Sequence, residues 1–180
     1  MKRLLWVKAH LFAASFFAPA LLAMAVSGGL YLVGIKGNIT QTTVPIPTNI
    51  QLNLQSKTLE DDVSTLLTNL GIDYNFEYLK QSGNVLYTRP TSKTHYEIKV
   101  TDDAVSIARN EPDLLKSLVE LHKGHGPGLF KDFQKAMAIG LLFVLLSGTW
   151  LGLSSAGLRA STLATVAGGI SVFAVLAIFV

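Results

Sequence analysis

Hydrophobic residues along this chain fall into two regimes. Leu11 to Ile35 is a run of 25 residues without a formal charge, 23 more separate Lys135 from Arg159, and the final 21, Ala160 to Val180, are again uncharged. About 20 apolar residues cross the roughly 30 Å hydrocarbon core of a bilayer at 1.5 Å per residue. Each run therefore predicts a spanning helix. Gly152, Ser154, Ser155 and Gly157 are weak helix formers, so the second span is expected to start near Phe130 and end near Leu153. The pattern divides the chain into 1–36 (amino terminus and first span), 37–129 (a water-facing domain), 130–153 (second span), 154–159 (a tight turn) and 160–180 (third span).

The middle section changes period. Thr58 is expected to cap a helix carrying Leu59, Val63, Leu66, Leu67 and Leu70 at helical spacing, with Gly71 as its stop. Tyr74, Phe76 and Tyr78 alternate with polar residues, then 81–84 break the pattern, and Val85 and Tyr87 resume it as the second strand of a hairpin. Tyr96, Ile98 and Val100 predict another strand, Asp102-Asp103 a turn, and Val105 and Ile107 a further short strand. Pro112 is expected to open a second helix with Leu114, Leu115, Leu118, Val119 and Leu121 on one side, ended by Gly124 and Gly126. The segment Thr40 to Pro47, with two prolines, reads as an extended tether. The predicted fold class is a membrane α-helical protein with three spans plus a small α+β extracytoplasmic domain ordered helix, antiparallel sheet, helix. Both helices are expected on one face of the sheet, leaving the other wet and open to a partner.

Charge then orients the chain. All 12 carboxylates lie between Glu60 and Asp132, and the middle section sets 10 bases against them, so the net charge of +3 comes from five flanking cations, Lys2, Arg3, Lys8, Lys135 and Arg159. With 49% hydrophobic and 15% charged residues and a mean hydropathy of +0.41, the acid-free remainder needs lipid as solvent. The near-neutral middle removes the main support for nucleic-acid binding. Short cytoplasmic segments are enriched in Lys and Arg, which places the amino terminus and the Arg159 turn in the cytoplasm, the middle domain and Val180 outside. Ala23-Met24-Ala25 also resembles a signal-peptide cleavage site, but the apolar run continues for ten residues beyond it and favours an uncleaved anchor. The chain has no cysteine, hence no disulfide, thiolate metal site or cysteine nucleophile.

Few residues carry chemistry. Gly28 and Gly29 in the first span, Gly148 in the second, and Gly168 and Gly169 in the third are helix-packing candidates, read as packing the three spans against one another. No ionisable side chain falls near mid-membrane, which argues against transport. Glu120, His122 and His125 could hold a divalent cation, although their spacing matches no strong zinc motif and two glycines interrupt the helix. The plainer reading sets His122 and His125 at the junction of domain and bilayer, with Lys123 and Lys131 towards anionic headgroups. His10 and His122 are candidate haem ligands. The expected topology puts them on opposite sides of about 30 Å of hydrocarbon, leaving a haem between two copies of His10 as the workable form. Asp61-Asp62 read as a helix start, and no catalytic triad, phosphate loop or acid pair stands out.

The run Leu121-His122-Lys123-Gly124-His125-Gly126-Pro127-Gly128-Leu129-Phe130, followed by Leu146-Ser147-Gly148-Thr149-Trp150-Leu151, resembles the PepSY-associated transmembrane family, as do His10 and Ser27-Gly28-Gly29 in the first span. The resemblance implies a bacterial inner membrane and a periplasmic PepSY domain. Such domains also occur in propeptides of thermolysin-type proteases, and longer relatives are haem-containing iron or ferrisiderophore reductases. This chain departs from those by having a single PepSY unit, three spans and no same-side histidine pair. The resulting expectation is a non-enzymatic anchored module whose partners are the bilayer and a peptidase or membrane complex. The alternative is a haem b-binding or accessory subunit of an iron/ferrisiderophore reductase or metal-uptake system.

Overall fold

A computed structural model describes residues 2–47, 50–101 and 104–179, so the expected Asp102-Asp103 turn and the position of Val180 lie outside the described residues. The chain forms two compact units, Met1–Leu21 with Lys135–Val180, and Leu22–Gln134. Helices α1 (Lys2–Leu32) and α4 (Gly128–Leu153) contribute to both, and α5 (Arg159–Phe179) belongs to the first. All three are long and apolar enough to cross a membrane.

In the first unit α1 and α4 form the packed seam. Met137, Gly140 and Ser147 are its buried residues on α4. The Phe17 ring lies so close over Gly140 that a side chain there would collide with it. Trp6 stacks on Phe143 with ring centroids 6.3 Å apart. Arg159 was expected in the turn but is the first residue of α5, where its Nε donates to the Leu153 carbonyl at 2.9 Å and satisfies an orphan acceptor at the end of α4. Among its described residues α5 buries none. Side chains built on Gly168 or Gly169 would meet no heavy atom within 4 Å, so the expected three-helix packing is not made at either position.

The second unit contains a five-stranded antiparallel sheet: β1 (Ile39–Val44), β2 (Tyr78–Ser82), β3 (Val85–Arg89), β4 (His95–Val100) and β5 (Val105–Pro112), in the order β1-β5-β4-β3-β2. The core face joins Leu86, Tyr96, Ile98, Val105 and Ile107 to Val63, Leu66 and Leu67 of α2 (Leu59–Asn69). Leu67, Leu86 and Ile98 are wholly buried, each removing apolar surface from water for about 1.5–3 kcal/mol.

Four expectations are corrected here. The segment read as a tether supplies β1, which pairs with β5 from Ile39 opposite Pro112 to Val44 opposite Ile107, because its β-branched run precedes the first proline. Tyr74 and Phe76 precede β2 and plug the core instead of pairing. The Tyr74 hydroxyl donates to the Thr94 carbonyl at 3.0 Å and its ring meets Tyr96 edge-on. Thr58 precedes α2 but makes no capping bond, its hydroxyl turning to Ser56 and Asp62. Pro112 closes β5, and the cap of α3 (Leu114–His122) is Asp113, whose carboxylate accepts the Lys116 N–H at 2.7 Å.

Asp113 also accepts the Asn38 N–H at 2.8 Å and returns its own N–H to the Asn38 carbonyl at 3.0 Å, clasping the start of β1 to the start of α3. These N–H donors hold its carboxyl below the usual aspartate range. Gly37, at φ +70°, presses on the Lys116 backbone where no Cβ would fit. The chain thereby leaves β5 and returns over the sheet as α3. Lys116 and Glu120 of α3 share a cleft with Tyr87, Arg89 and His95, positions that alternate with the core residues. The two helices of the domain therefore take opposite faces. The wet face expected from sequence is partly roofed by α3.

Candidate functional site

The roofed face carries Tyr87 and Arg89 from β3, His95 and Glu97 from β4, and Asn110 from β5, all at the odd register of the pleat relative to Leu86, Ile98 and Ile107. Glu120 organises the space beneath α3. It is 5% exposed, and both its oxygens are used. Oε1 accepts from Lys116 Nζ at 3.2 Å and Lys123 Nζ at 3.0 Å, and Oε2 accepts from Thr91 Oγ1 at 2.9 Å and His125 Nδ1 at 2.6 Å. Arg89 Nη1 donates to the same Thr91 hydroxyl at 2.7 Å, so the chain of bonds runs Arg89, Thr91, Glu120. Burial alone would push the Glu120 carboxyl up. The donors, His125 and Lys123 foremost, outweigh it and hold the group at about 2.

Around this network lies an open cleft of about 210 Å³, lined also by Ile39, Tyr87 and His95. Its lining holds three permanent cations, Arg89, Lys116 and Lys123, against the single acid Glu120. Arg89 Nε is buried with no hydrogen-bond partner among the described residues. His95 Nδ1 donates to the Lys93 carbonyl at 2.9 Å, and burial lowers its pKa and favours the neutral ring. Burial, and then Glu97, raises the Tyr87 hydroxyl. A cationic, partly desolvated recess of this size suits a small anionic group.

Of the predicted metal ligands, Glu120 and His125 are brought together and His122 is not. His122 Nδ1 lies 2.9 Å from the Met24 carbonyl, and the Glu120 charge is already met by two lysines, which disfavours a further cation there. Lys123 and Lys131, expected at headgroups, have protein partners: Lys123 binds Glu120, and Lys131 Nζ sits 4.7 Å over the Tyr78 ring.

His10 and His122 share a local arrangement. A carbonyl only accepts, so the His122 bond to Met24 requires a proton on Nδ1, and the neutral ring then presents a bare Nε2. Ser147 Oγ sits 2.6 Å from the Phe143 carbonyl and gives its single proton there, so it accepts from His10 Nδ1 at 2.8 Å, again leaving Nε2 bare. Each ring rests on a glycine. A Cβ on Gly28 would lie 2.9 Å from His122 Cε1, and one on Gly148 would lie 3.2 Å from His10 Cε1. Those two of the five packing glycines thus seat imidazoles, whereas Gly29, like Gly168 and Gly169, faces nothing within 4 Å. An apolar recess of about 450 Å³ adjoins His122, lined by Met24, Ala25, Gly28 and Leu32.

Sequence reasoning missed Arg89, Thr91 and Lys116 as members of the cleft. The available signal was a carboxylate on an amphipathic helix with lysines at i−4 and i+3, a spacing that places all three on one side. Arg89 and Thr91 carry no local pattern that points to Glu120, 29 residues beyond Thr91. Compared with family models, characterised proteins and solved structures, the chain matches none of them.

Proposed function

We propose that this chain is a non-catalytic, membrane-anchored module of PepSY type. Its three apolar helices lie in a bacterial inner membrane, with amino terminus and α4–α5 turn in the cytoplasm, and its sheet domain lies in the periplasm. The domain binds or regulates a protein partner such as a peptidase. The observation that carries this reading is β1: a strand at the edge of the sheet, exposed over Ile39 to Thr43, paired on one side only among the described residues, and rich in β-branched side chains. Such an edge accepts an extended segment of another protein through main-chain hydrogen bonds. A photo-crosslinking residue at Thr42, in cells, is expected to trap one discrete protein, and the same residue at Lys80 on the far edge to trap far less. No discrete adduct at Thr42 under conditions where the protein reaches the membrane would overturn the reading.

A second reading is favoured by the two matched histidines. Rings tied at Nδ1 with Nε2 free are disposed as haem ligands are, which fits a haem b-binding or accessory subunit of an iron or ferrisiderophore reductase, or of a metal-uptake system. Bound haem would supply one-electron chemistry, and His10 and His122 would each offer Nε2. A Soret band in the purified protein, lost in His10→Ala or His122→Ala, distinguishes this reading from the first.

A further inference from the structure

The cleft under α3 and the open edge of the sheet meet at one residue. Ile39 is the first residue of β1 and also lines the cleft with Arg89, Lys116 and Lys123. The whole sheet is antiparallel, and a guest strand continuing that pattern would run against β1. Its carboxyl-terminal end then falls at the Ile39 end, beside the cationic recess. We propose that the domain recognises the carboxyl terminus of a partner protein: the last residues pair along β1, and the terminal carboxylate enters the cleft between Arg89 and Lys116. This rests on the reading of β1 as a docking edge and adds which part of the partner docks.

Three observations point to a carboxylate as the occupant. The charge balance of the lining is positive, with Glu120 its only acid and that acid fully engaged. Two acids beside lining residues are committed: Asp113 accepts the Lys116 and Asn38 N–H groups, and Glu97 lies 3.4 Å from the Asn110 amide. Arg89 lines the same space, and its guanidinium, a fork of five N–H donors, spends Nη1 on Thr91. The volume of about 210 Å³ is on the scale of one terminal residue.

The test uses the full chain in lipid nanodiscs and two pools of randomised heptapeptides, one with free carboxyl termini and one amidated. Retention of the free pool is expected to exceed that of the amidated pool by about tenfold. Arg89→Gln and Lys116→Gln should each bring the free pool down to the amidated level. Arg109→Gln makes the same charge change at an exposed residue ion-paired to Glu111, at a position that alternates with the cleft residues, and should leave the preference intact. Thermal unfolding of each variant separates lost binding from lost fold, and Lys116→Arg, which keeps the charge, should restore the preference. Equal retention of both pools on a folded protein overturns the carboxylate proposal while leaving edge docking standing. Retention of amidated peptides selected for internal Asp or Glu also overturns it, because the cleft would then read side chains. Retention of neither pool, together with a discrete partner crosslinked at Thr42, overturns it as well, because the partner would be docking by something other than a chain terminus.

Discussion

Glu120 concentrates more of the domain's electrostatics than any other described side chain, and its consequences are testable by pH. Its folded-state pKa of about 2 is depressed from an ordinary 4.5, so the stability it contributes is fully present above about pH 4.5 and is lost as pH falls towards 2. Glu120→Gln removes one partner of a buried network and strands Lys116, which is 19% exposed, while Lys123 at 40% is partly rescued by water. A loss of about 2–3 kcal/mol is expected at pH 7. The difference between wild type and variant should shrink between pH 4.5 and 2, read by denaturant unfolding across a pH series. A constant difference over that window would remove Glu120 from the account. At this scale the sequence was only partly legible. The spacing of Glu120, His122 and His125 draws attention to the right helix, but helix geometry turns His122 away from the other two, and of the two lysines that claim Glu120 the sequence reads Lys123 as lipid-facing and gives Lys116 no role.

Among the elements, α2 and the alternation of β3, β4 and β5 were readable because one side of each is buried and the period shows it. Leu67 sits at the centre of that agreement. Leu67→Ala is expected to cost about 2–5 kcal/mol, measurable as a shift of the denaturant midpoint with an unchanged slope. What was not legible has a common cause. Ile39 to Thr43 of β1 are exposed, so no buried face imposes a period on ITQTTV, and the segment Val44-Pro45-Ile46-Pro47 at its end suggests a tether. Tyr74 and Phe76 show the alternation of a strand yet fill the core from a loop, a tertiary choice that local pattern does not encode. The placement of α3 on the opposite face is equally non-local, being set where Asp113 clasps Asn38.

At the scale of the whole chain, three apolar helices were the clearest signal in the sequence, and the structure forms all three. Their packing was not readable, because small residues mark every span while only some meet a neighbour. Gly140→Leu should disrupt the α1–α4 seam by colliding with Phe17, whereas Gly168→Leu should leave the unfolding of the isolated chain unchanged. Detergent titration followed by circular dichroism reads both. Equal effects of the two substitutions would mean that α5 packs within the chain after all.

The clasp between Asp113 and Asn38 reaches beyond the domain's own stability. Six residues, Val33 to Asn38, separate the end of α1 from Ile39, and even fully stretched that connection spans only about 23 Å. Under the proposed function, whatever docks at the Ile39 end of β1 is leashed within that radius of its anchor. A diffusing guest becomes a surface-confined one, and its encounters with other occupants of the same membrane are governed by local concentration and no longer by its abundance in bulk.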